Sequence, residues 1–312
     1  MTTSLIIARK EFRAAFRNRL FLTITLLFLG LSILSVYIGS TTKRAEMRIY
    51  DARVATLQAE GAAVIPDAPE IHTLTILANL TEYVAIVGAI LAVILGYNTL
   101  IEEKESGGLK LILSRPVYRD QLLVGKLLGN AAVIASLLGL VFLFNLILLV
   151  AIGGILPTLG EVARLFTFTV MALAYMLIFL TVSLFLSIRL NNGATVFLIS
   201  LTLWVLVSFV VPQMADAMMV NSSVVNSISG AINQIPQETA VSQAINYLSP
   251  TWHLRNIGGE LLQFTSGSNA ISTGTLLGHT LTTLLVLLVP TVAFIAAGFA
   301  VFQRNETLVL ES

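Results

Sequence analysis

Six long apolar runs are the feature of this sequence that most limits what the chain can fold into. A helix needs about 20 apolar residues to cross about 30 Å of hydrocarbon, because each residue adds about 1.5 Å. The runs cover residues 20–40, 83–101, 127–155, 165–188, 194–214 and 276–302. They predict an all-α membrane protein in which six helices, named spans 1 to 6, form a single transmembrane domain over residues 1–312.

The distribution of Lys and Arg predicts the orientation, because these residues concentrate on the cytoplasmic side. If the N-terminus is inside, twelve of the 18 cations are cytoplasmic and six are outside. We therefore expect a multi-pass protein of the plasma (inner) membrane with both termini in the cytoplasm. Four of the six outer cations directly follow the first apolar run, and this cluster is the one signal against that orientation: Lys43, Arg44, Arg48 and Arg53.

The segment between spans 2 and 3, residues 102–126, is densely charged in a chain with only 11% charged residues. Gly107 and Gly108 allow a sharp change of direction, and Pro116 ends any helix that follows them. A solvated turn anchored among lipid headgroups is the simplest interpretation. However, helix connections usually need only a few residues. A short helix with an apolar side is typical of a segment that binds a groove on another protein.

This segment, "EEKESGGLKLILSRPVYRDQLLVGK", resembles the cytoplasmic signature of type-2 ATP-binding-cassette (ABC) permeases. The layout is similar too, with a long outer segment between spans 5 and 6 that contains "YLSPTWHL". The resemblance implies a coupling helix seated on a separate ABC ATPase, which would bind ATP and Mg. Gly108 departs from the pattern, which usually has Thr there. The residues assigned to ATPase coupling are Glu102, Glu103, Glu105, Gly107, Leu109, Leu111, Arg115, Pro116 and Arg119.

Residues 1–19 predict an amphipathic helix that lies at the membrane surface. Leu5, Ala8, Phe12 and Phe16 fall on one helical face, and the cations lie elsewhere. A basic anchor for span 1 is the simple interpretation, and the resemblance adds a contact with the ATPase. The interfacial residues are Arg9, Phe12, Arg13 and Phe16.

Motifs for catalysis are absent from the sequence. Gly125-Lys126 is the only Gly-Lys pair, but Leu127 follows it and Asp120 stands where a P-loop has its first glycine. With three histidines, no cysteine and no metal-spaced cluster, we predict neither an enzyme nor a bound metal or cofactor in this chain. Its net charge of +1 gives no reason to expect nucleic acid as a partner.

Polar residues inside the spans are almost all neutral, whereas ion-coupled carriers place ionisable groups along their pathways. Most such Ser, Thr and Asn side chains serve helix packing. Four are candidates for lining a transport pathway: Asn130, Asn145, Ser200 and Thr202. A neutral, mainly aliphatic pathway favours a lipid-like or amphipathic cargo over an ion.

Two outer segments flank these spans. In residues 41–80 a face of Met47, Tyr50, Val54 and Leu57 predicts a helical extension of span 1. For residues 215–275 the resemblance implies short helices that cover the pathway. Three methionines and one histidine allow a soft-metal site, but methionine near a membrane face is more often packing: Met214, Met218, Met219 and His253.

Three functions fit these observations: the permease subunit of an ATP-driven exporter, an ion-coupled carrier, and a membrane scaffold or sensor that recruits a cytoplasmic partner. The neutral spans disfavour the carrier, and the resemblance favours the exporter. Because ABC ATPases act in pairs, we expect a homodimer of this chain on two ATPase subunits, with a pairing of this chain and a different permease as the alternative. The predicted dimer contact involves small and hydroxylic residues of spans 1 and 5: Thr23, Thr25, Ser32, Ser200 and Ser208.

Overall fold

A computed structural model describes residues 2–60, 72–107, 118–154, 156–225, 232–264 and 273–304. Within these ranges, six helices are long and apolar enough to cross a membrane, which confirms the predicted all-α class. Four of the spans are uninterrupted helices: span 1 is Arg19–Ala59, span 3 is Arg119–Ala151, span 4 is Leu159–Arg189 and span 6 is Thr273–Arg304.

Spans 2 and 5 each contain a π-helical turn. Span 2 runs through the 3-10 turn Thr73–Leu77, the helix Ala78–Tyr83, the π turn Val84–Gly88 and the helix Ala89–Glu105. Span 5 runs through Gly193–Val205, the π turn Leu206–Val210 and Val211–Asp216. A π turn leaves backbone carbonyls without their usual helical partner, so both turns offer acceptors to neighbouring elements.

The end of span 3 differs from the sequence-based expectation, and the end of span 1 agrees with it. Span 3 ends at Ala151 rather than at residue 155, because Gly153 and Gly154 close the helix with hydrogen bonds to Leu148 O and Val150 O. Gly154 has φ 69°, a conformation that favours glycine. Span 1 continues to Ala59, as the extension predicted, and Met47, Tyr50, Val54 and Leu57 are its half-buried positions.

The helix Thr2–Ala15, called the N-terminal helix, packs against the start of span 3. We call the side of the membrane with the N-terminal helix and the 102–126 segment the loop side, and the opposite side the far side. Residues 108–117 lie outside the described residues.

Span 4 forms the centre of the bundle, with Tyr175, Met176 and Leu180 fully buried. Span 2 approaches it closely at Gly96, where a Cβ would lie 2.5 Å from Leu180 O. Small residues permit such backbone contacts between helices in a membrane. Spans 1, 5 and 6 lie at the periphery and expose many aliphatic side chains, as expected of helices that face lipid or another subunit.

The far side between spans 5 and 6 contains short helices, Ala240–Asn246 and Pro250–Leu261. It also contains an antiparallel hairpin, Val220–Val225 paired with Ile232–Gln237, in the register Val220↔Gln237. The sequence analysis did not expect this hairpin. Its first strand, "VNSSVV", is rich in β-branched valine, which favours strands over helices.

Candidate functional site at the base of the 102–126 segment

The two ends of the 102–126 segment meet at an ion pair between spans 2 and 3. Lys126 Nζ lies 2.9 Å from Glu103 Oε1 and 3.1 Å from Glu11 Oε1 of the N-terminal helix. It also donates to Thr99 O at 2.7 Å, so all three of its donor positions have acceptors. Only 3% of the Lys126 side chain is exposed. A buried ammonium is tolerated when it is paired and hydrogen-bonded in this way.

Thr99 and Asn130 extend the polar contact into the bundle. Asn130 Nδ2 donates to Thr99 Oγ1 at 2.8 Å, and Thr99 Oγ1 donates to Leu95 O at 2.6 Å. Lys10 lies on the surface of the same cluster, 3.6 Å from Glu103 Oε1, with 66% of its side chain exposed. The cluster therefore connects three elements: the N-terminal helix, span 2 and span 3.

Two glycines let the N-terminal helix approach span 3 closely. A Cβ on Gly125 would lie 2.7 Å from Ile7 Cβ and 2.8 Å from Ser4 O. A Cβ on Gly129, one turn later, would lie 2.7 Å from Glu11 Cβ. Spacing of small residues by four positions produces this kind of close helix contact. The close approach brings Glu11 within reach of Lys126.

Lys104, next to Glu103, connects the base of the 102–126 segment to span 4. Its Nζ donates to Ser187 O at 2.8 Å and to Ile188 O and Leu190 O at 3.1 Å. These carbonyls belong to the last turn of span 4, where a lysine supplies the hydrogen bonds that the helix end lacks. Gln303 Nε2 of span 6 donates a hydrogen bond to Asp120 Oδ1 of span 3 at 2.9 Å. Residues at the base of the 102–126 segment thus contact spans 4 and 6 as well as the N-terminal helix.

The structure places only some of the predicted coupling residues. Glu102 and Glu105 are exposed, and Gly107 has φ 70°, a left-handed conformation that favours glycine and suits a change of chain direction. Glu103 belongs to the buried ion pair rather than to an exposed docking surface. Leu109, Leu111, Arg115 and Pro116 lie outside the described residues, and the Arg119 side chain is not described. Coupling to an ATPase stays a prediction for all of them.

The N-terminal helix packs on span 3 through Ser4, Ile7, Ala8 and Glu11, and the placement of its apolar face at the membrane surface stays a prediction. Ser4 and Ala15 are buried and Glu11 points to Lys126, whereas Leu5 is 62% exposed. Gly125 and Gly129 of span 3 let this face, which includes Ile7, approach closely. Arg9 and Arg13 are exposed, and aromatic contacts connect the helix to span 1, with ring centroids 4.9 Å apart for Phe12–Phe16 and 5.2 Å for Phe16–Phe21.

Two open cavities adjoin this cluster on the loop side. One, of about 370 Å³, lies between the N-terminal helix and spans 2 and 3, and Asn130 is among its lining residues. The other, of about 360 Å³, lies between spans 2 and 5 and is lined by Tyr97, Gly193 and Phe197. Both are lined by Asn98 and Glu102, so span 2 separates two adjacent spaces at its loop-side end.

A second polar network joins the π turns to the far-side helix Pro250–Leu261. Tyr175 OH donates to Ala85 O at 2.8 Å and lies 3.1 Å from Thr251 Oγ1. Thr251 Oγ1 donates to Ser208 Oγ at 2.6 Å, and Ser249 Oγ donates to Val207 O at 2.6 Å. These bonds satisfy carbonyls within the π turns of spans 2 and 5. Sequence reasoning missed this network, although Ser249 and Thr251 lie within the "YLSPTWHL" stretch.

An ion pair reinforces the same helix at its surface. Arg255 Nε and Nη2 each lie 2.8 Å from one carboxylate oxygen of Glu82, at the start of span 2. This bidentate geometry is the strong form of an Arg–carboxylate contact. Gly258 packs closely beside it, since a Cβ there would lie 2.8 Å from Thr81 Oγ1. The far-side helix is therefore attached to spans 2, 4 and 5.

Comparison with known proteins identifies the family. A family model described as "ABC-2 family transporter protein" matches residues 5–307. The chain belongs to this family. It is similar to the "Probable ABC transporter permease protein NosY" of Pseudomonas aeruginosa, 32% identical over 129 residues that make up 41% of this chain and 39% of that protein. A protein of the same name from Stutzerimonas stutzeri is 30% identical, also over 129 residues, with the same coverage.

Family membership confirms the resemblance that the 102–126 segment indicated. The match to the two curated relatives spans about two fifths of their length, so their printed names describe them and not this chain. The structure brings together Glu11, Glu103, Thr99 and Lys126, of which only Glu103 was singled out from the sequence.

The four candidate pathway residues of this ABC-2 family chain lie at separate places. Asn130 borders the loop-side cavity, and the buried Asn145 donates to Ser32 Oγ at 3.3 Å between spans 1 and 3. Ser200 donates to Ser183 Oγ at 3.1 Å between spans 5 and 4. Thr202 is exposed and donates to Leu198 O of its own helix. Their role in transport stays a prediction.

The predicted dimer contact needs a correction. Ser32, Ser200 and Ser208 are buried within the chain, so a second copy cannot pack on them. Thr23 and Thr25 donate to carbonyls four residues earlier in span 1. The three serines serve contacts between elements of one chain, and the outward faces of spans 1 and 5 are aliphatic.

The residues considered for a soft-metal site, His253 and the methionines, differ in burial. His253 is buried, and its Nε2 lies 3.2 Å from Tyr247 O. Burial lowers the pKa of His253 from its ordinary 6.5, and the hydrogen bond with Tyr247 opposes this shift. Met214 and Met218 are half exposed on the surface. No group of three or more His, Cys, Asp or Glu residues suited to a metal ion occurs among the described residues.

Proposed function

We propose that this chain is the membrane-spanning permease subunit of an ATP-driven exporter, and that a separate ABC ATPase supplies the energy. The ATPase would bind ATP and Mg, and this chain would not be an enzyme itself. Family membership supports the transporter part of this proposal. The absence of a P-loop motif from the sequence supports a division of labour between two proteins.

The observation that carries the proposal is the ion pair between Glu103 and Lys126. Because the two ends of the 102–126 segment are joined at 2.9 Å, a force on that segment acts on spans 2 and 3 together. Lys104 and Glu11 extend the connection to span 4 and to the N-terminal helix. A partner that moves the 102–126 segment would therefore move a large part of the bundle.

The cargo we propose is lipid-like or amphipathic, and it moves outward. The spans are aliphatic, and the polar side chains buried within them are mainly neutral hydroxyls and amides. The cavity between spans 2 and 5 combines aromatic residues with Glu102 and Glu105, a composition that suits a molecule with an apolar body and a polar end.

The arrangement we propose is a homodimer on two ATPase subunits in the inner membrane, with both termini in the cytoplasm. The excess of Lys and Arg on the loop side supports this orientation. Two ATPase subunits need two docking surfaces, and one chain supplies one 102–126 segment. Twofold assembly is the commonest way to provide two copies of a surface.

The proposal is tested by co-purification and hydrolysis. Tagged full-length chain is isolated from membranes of its host, and the ATPase that accompanies it is assayed for MgATP hydrolysis with and without phospholipid vesicles. We expect an ATPase in the purified complex and hydrolysis that the vesicle lipid stimulates. A double variant, Leu109→Asp with Leu111→Asp, should lose the ATPase while still inserting in the membrane.

The matched control places the same change on the far side. Leu156 and Leu159 are 79% and 86% exposed between spans 3 and 4, so Leu156→Asp with Leu159→Asp adds the same two charges away from the ATPase. This variant should retain the ATPase. Equal ATPase recovery from the Leu109/Leu111 variant, or equal loss from the control, would contradict docking on the 102–126 segment.

A further inference from the structure

Basic residues in the far-side half of span 1 line a cavity that the proposed transport function does not use. This cavity, called the far-side basic cavity, has a volume of about 280 Å³. Lys43, Arg44 and Arg48 of span 1 line it together with Ser40, Ile76 of the turn before span 2, and Gly153 after span 3. Three elements therefore surround a space in which one helix presents three cations.

The register of span 1 explains why these side chains share the cavity. Positions 40, 44 and 48 are successive members of an i, i+4 series, so they lie on one face of the helix. Gly39 brings this face against the neighbouring turn, since a Cβ there would overlap the backbone of Ile76. Arg44 Nη2 contacts Ile152 O at 3.4 Å, a long contact at the edge of hydrogen-bonding range. The far end of span 3 therefore closes the cavity on one side.

The charge of the cavity is incompletely balanced by the described residues. Lys43 Nζ lies 2.8 Å from Glu46 Oε2, which compensates one of the three cations. No ion pair with a described acidic residue compensates Arg44 or Arg48. Cations concentrated at the end of a span opposite the loop side also run against the usual bias of membrane proteins. An anion in the cavity would account for both observations.

Ser40 supplies an independent indication of a ligand. It lines the cavity, only 5% of the residue is exposed, and its Oγ is buried without a hydrogen-bond partner among the described residues. The exposed or half-buried Thr23, Thr25 and Thr41 of this helix donate to their own helix backbone, and Ser35 Oγ, which does not line the cavity, is the other buried hydroxyl of this helix without a partner among the described residues. A buried hydroxyl without a partner is costly, and an anion oxygen would provide an acceptor.

The position of the cavity along span 1 suits a phosphate at a membrane surface. Arg44 and Arg48 lie about 6 Å and 12 Å along the helix axis beyond Ser40, where the apolar run ends. The headgroup layer is about 5–8 Å thick on each side, and arginine side chains are long enough to reach back into it. We propose that the far-side basic cavity binds a phosphate-bearing anion through Arg44, Arg48 and Ser40, either a phospholipid headgroup of the far-side leaflet or free phosphate.

Binding is measured on the purified full-length chain in a neutral detergent. One arm adds phosphatidylglycerol and follows retained lipid by native mass spectrometry together with the melting temperature. A second arm adds inorganic phosphate alone. Saturable stabilisation by the lipid only identifies a headgroup, and saturable stabilisation by inorganic phosphate identifies a free anion. Both outcomes support the site, provided that the variants below weaken the binding.

Three variants decide whether the cavity is responsible. Arg44→Gln with Arg48→Gln should weaken binding about tenfold or more, since each cation near a membrane surface contributes to anionic lipid binding. Ser40→Ala should weaken binding by a smaller factor. Because it removes only one oxygen, it tests the site even if the double variant folds poorly. The matched control is Arg53→Gln on the same helix but outside the cavity, which should leave binding within about twofold. Equal weakening by Arg53→Gln, or unchanged binding in both cavity variants, would overturn the proposal.

Discussion

Glu103 and Lys126 form an ion pair of 2.9 Å that joins the two ends of the 102–126 segment. The Lys126 ammonium is buried, and Glu11 of the N-terminal helix completes its coordination. A partner bound to the 102–126 segment would therefore act on span 2, span 3 and the N-terminal helix together. The energetic cost of breaking this connection can be measured directly.

Replacing Lys126 by methionine should strongly destabilise the chain. Methionine keeps an apolar side chain of similar length, but it leaves Glu11 without its cation and Glu103 with only the exposed Lys10, 3.6 Å away. Removing one partner of a buried ion pair typically costs about 3–5 kcal/mol, and we expect the lower end because both carboxylates are partly exposed. Denaturant unfolding in detergent measures the change. Adding Glu103→Gln to Lys126→Met should recover part of the loss.

Lys10 provides the control for this experiment. It also lies near Glu103, but at 3.6 Å and with 66% of its side chain exposed. Exposed ion pairs contribute about 0–1 kcal/mol, so Lys10→Met should have little effect. Equal destabilisation by Lys10→Met and Lys126→Met would mean that the buried position of Lys126 is not important.

Alanine at Gly129 should displace the N-terminal helix from span 3. A Cβ at this position would lie 2.7 Å from Glu11 Cβ and 2.9 Å from Ala8 O, so the two helices would have to separate. Forcing extra atoms into a packed contact costs about 1–3 kcal/mol. The unfolding midpoint and the rate of proteolytic cleavage near residue 15 report the two effects.

Gly139 in the same span is the matched position, because a Cβ there would have no neighbour within 4 Å. Gly139→Ala should be neutral or stabilising by up to about 1 kcal/mol, since alanine favours helices. If the two alanine variants behave alike, the close approach at Gly129 does not hold the N-terminal helix in place.

The sequence predicted the six spans because a run of about 20 apolar residues has few alternatives to a membrane helix. It also predicted the helical extension of span 1. The buried polar contacts could not be predicted in the same way. Lys126 is an ordinary loop cation in the sequence, and only the packing of Gly125 and Gly129 on the N-terminal helix brings it to Glu11.

The far side was less predictable for a similar reason. The π turns at Val84–Gly88 and Leu206–Val210 have no clear sequence signal, yet they provide the carbonyls that Tyr175 and Ser249 bind. The serines assigned to a dimer contact, Ser32, Ser200 and Ser208, face inward because neighbouring elements of the same chain offer them partners. A hydroxyl in a span can pack on its own chain or on another, and its spacing alone does not decide between them.

Protonation of His253 should destabilise the far-side helix. Burial lowers the pKa of His253 in the folded protein, so the unfolded chain binds the proton more tightly. The free energy of unfolding should therefore fall as the pH drops below about 6.5, the ordinary pKa of histidine. His253→Gln should remove this part of the pH dependence. An identical slope for wild type and variant between neutral pH and the onset of carboxylate titration would contradict the prediction.

Two copies of the chain should associate through the aliphatic face of span 5. Leu203 and Leu206 are 40% and 43% exposed on this face, while the serines of the same span are buried inside. Differently tagged copies are expected to co-purify. Because the chain has no cysteine, Leu203→Cys should give a disulfide-linked dimer under mild oxidation. Leu285→Cys on span 6, 63% exposed, is the matched position and should stay monomeric in the same assay. A cross-link at position 285 but not at 203 would place the contact on span 6, and a single copy of the chain beside a different permease would exclude the homodimer.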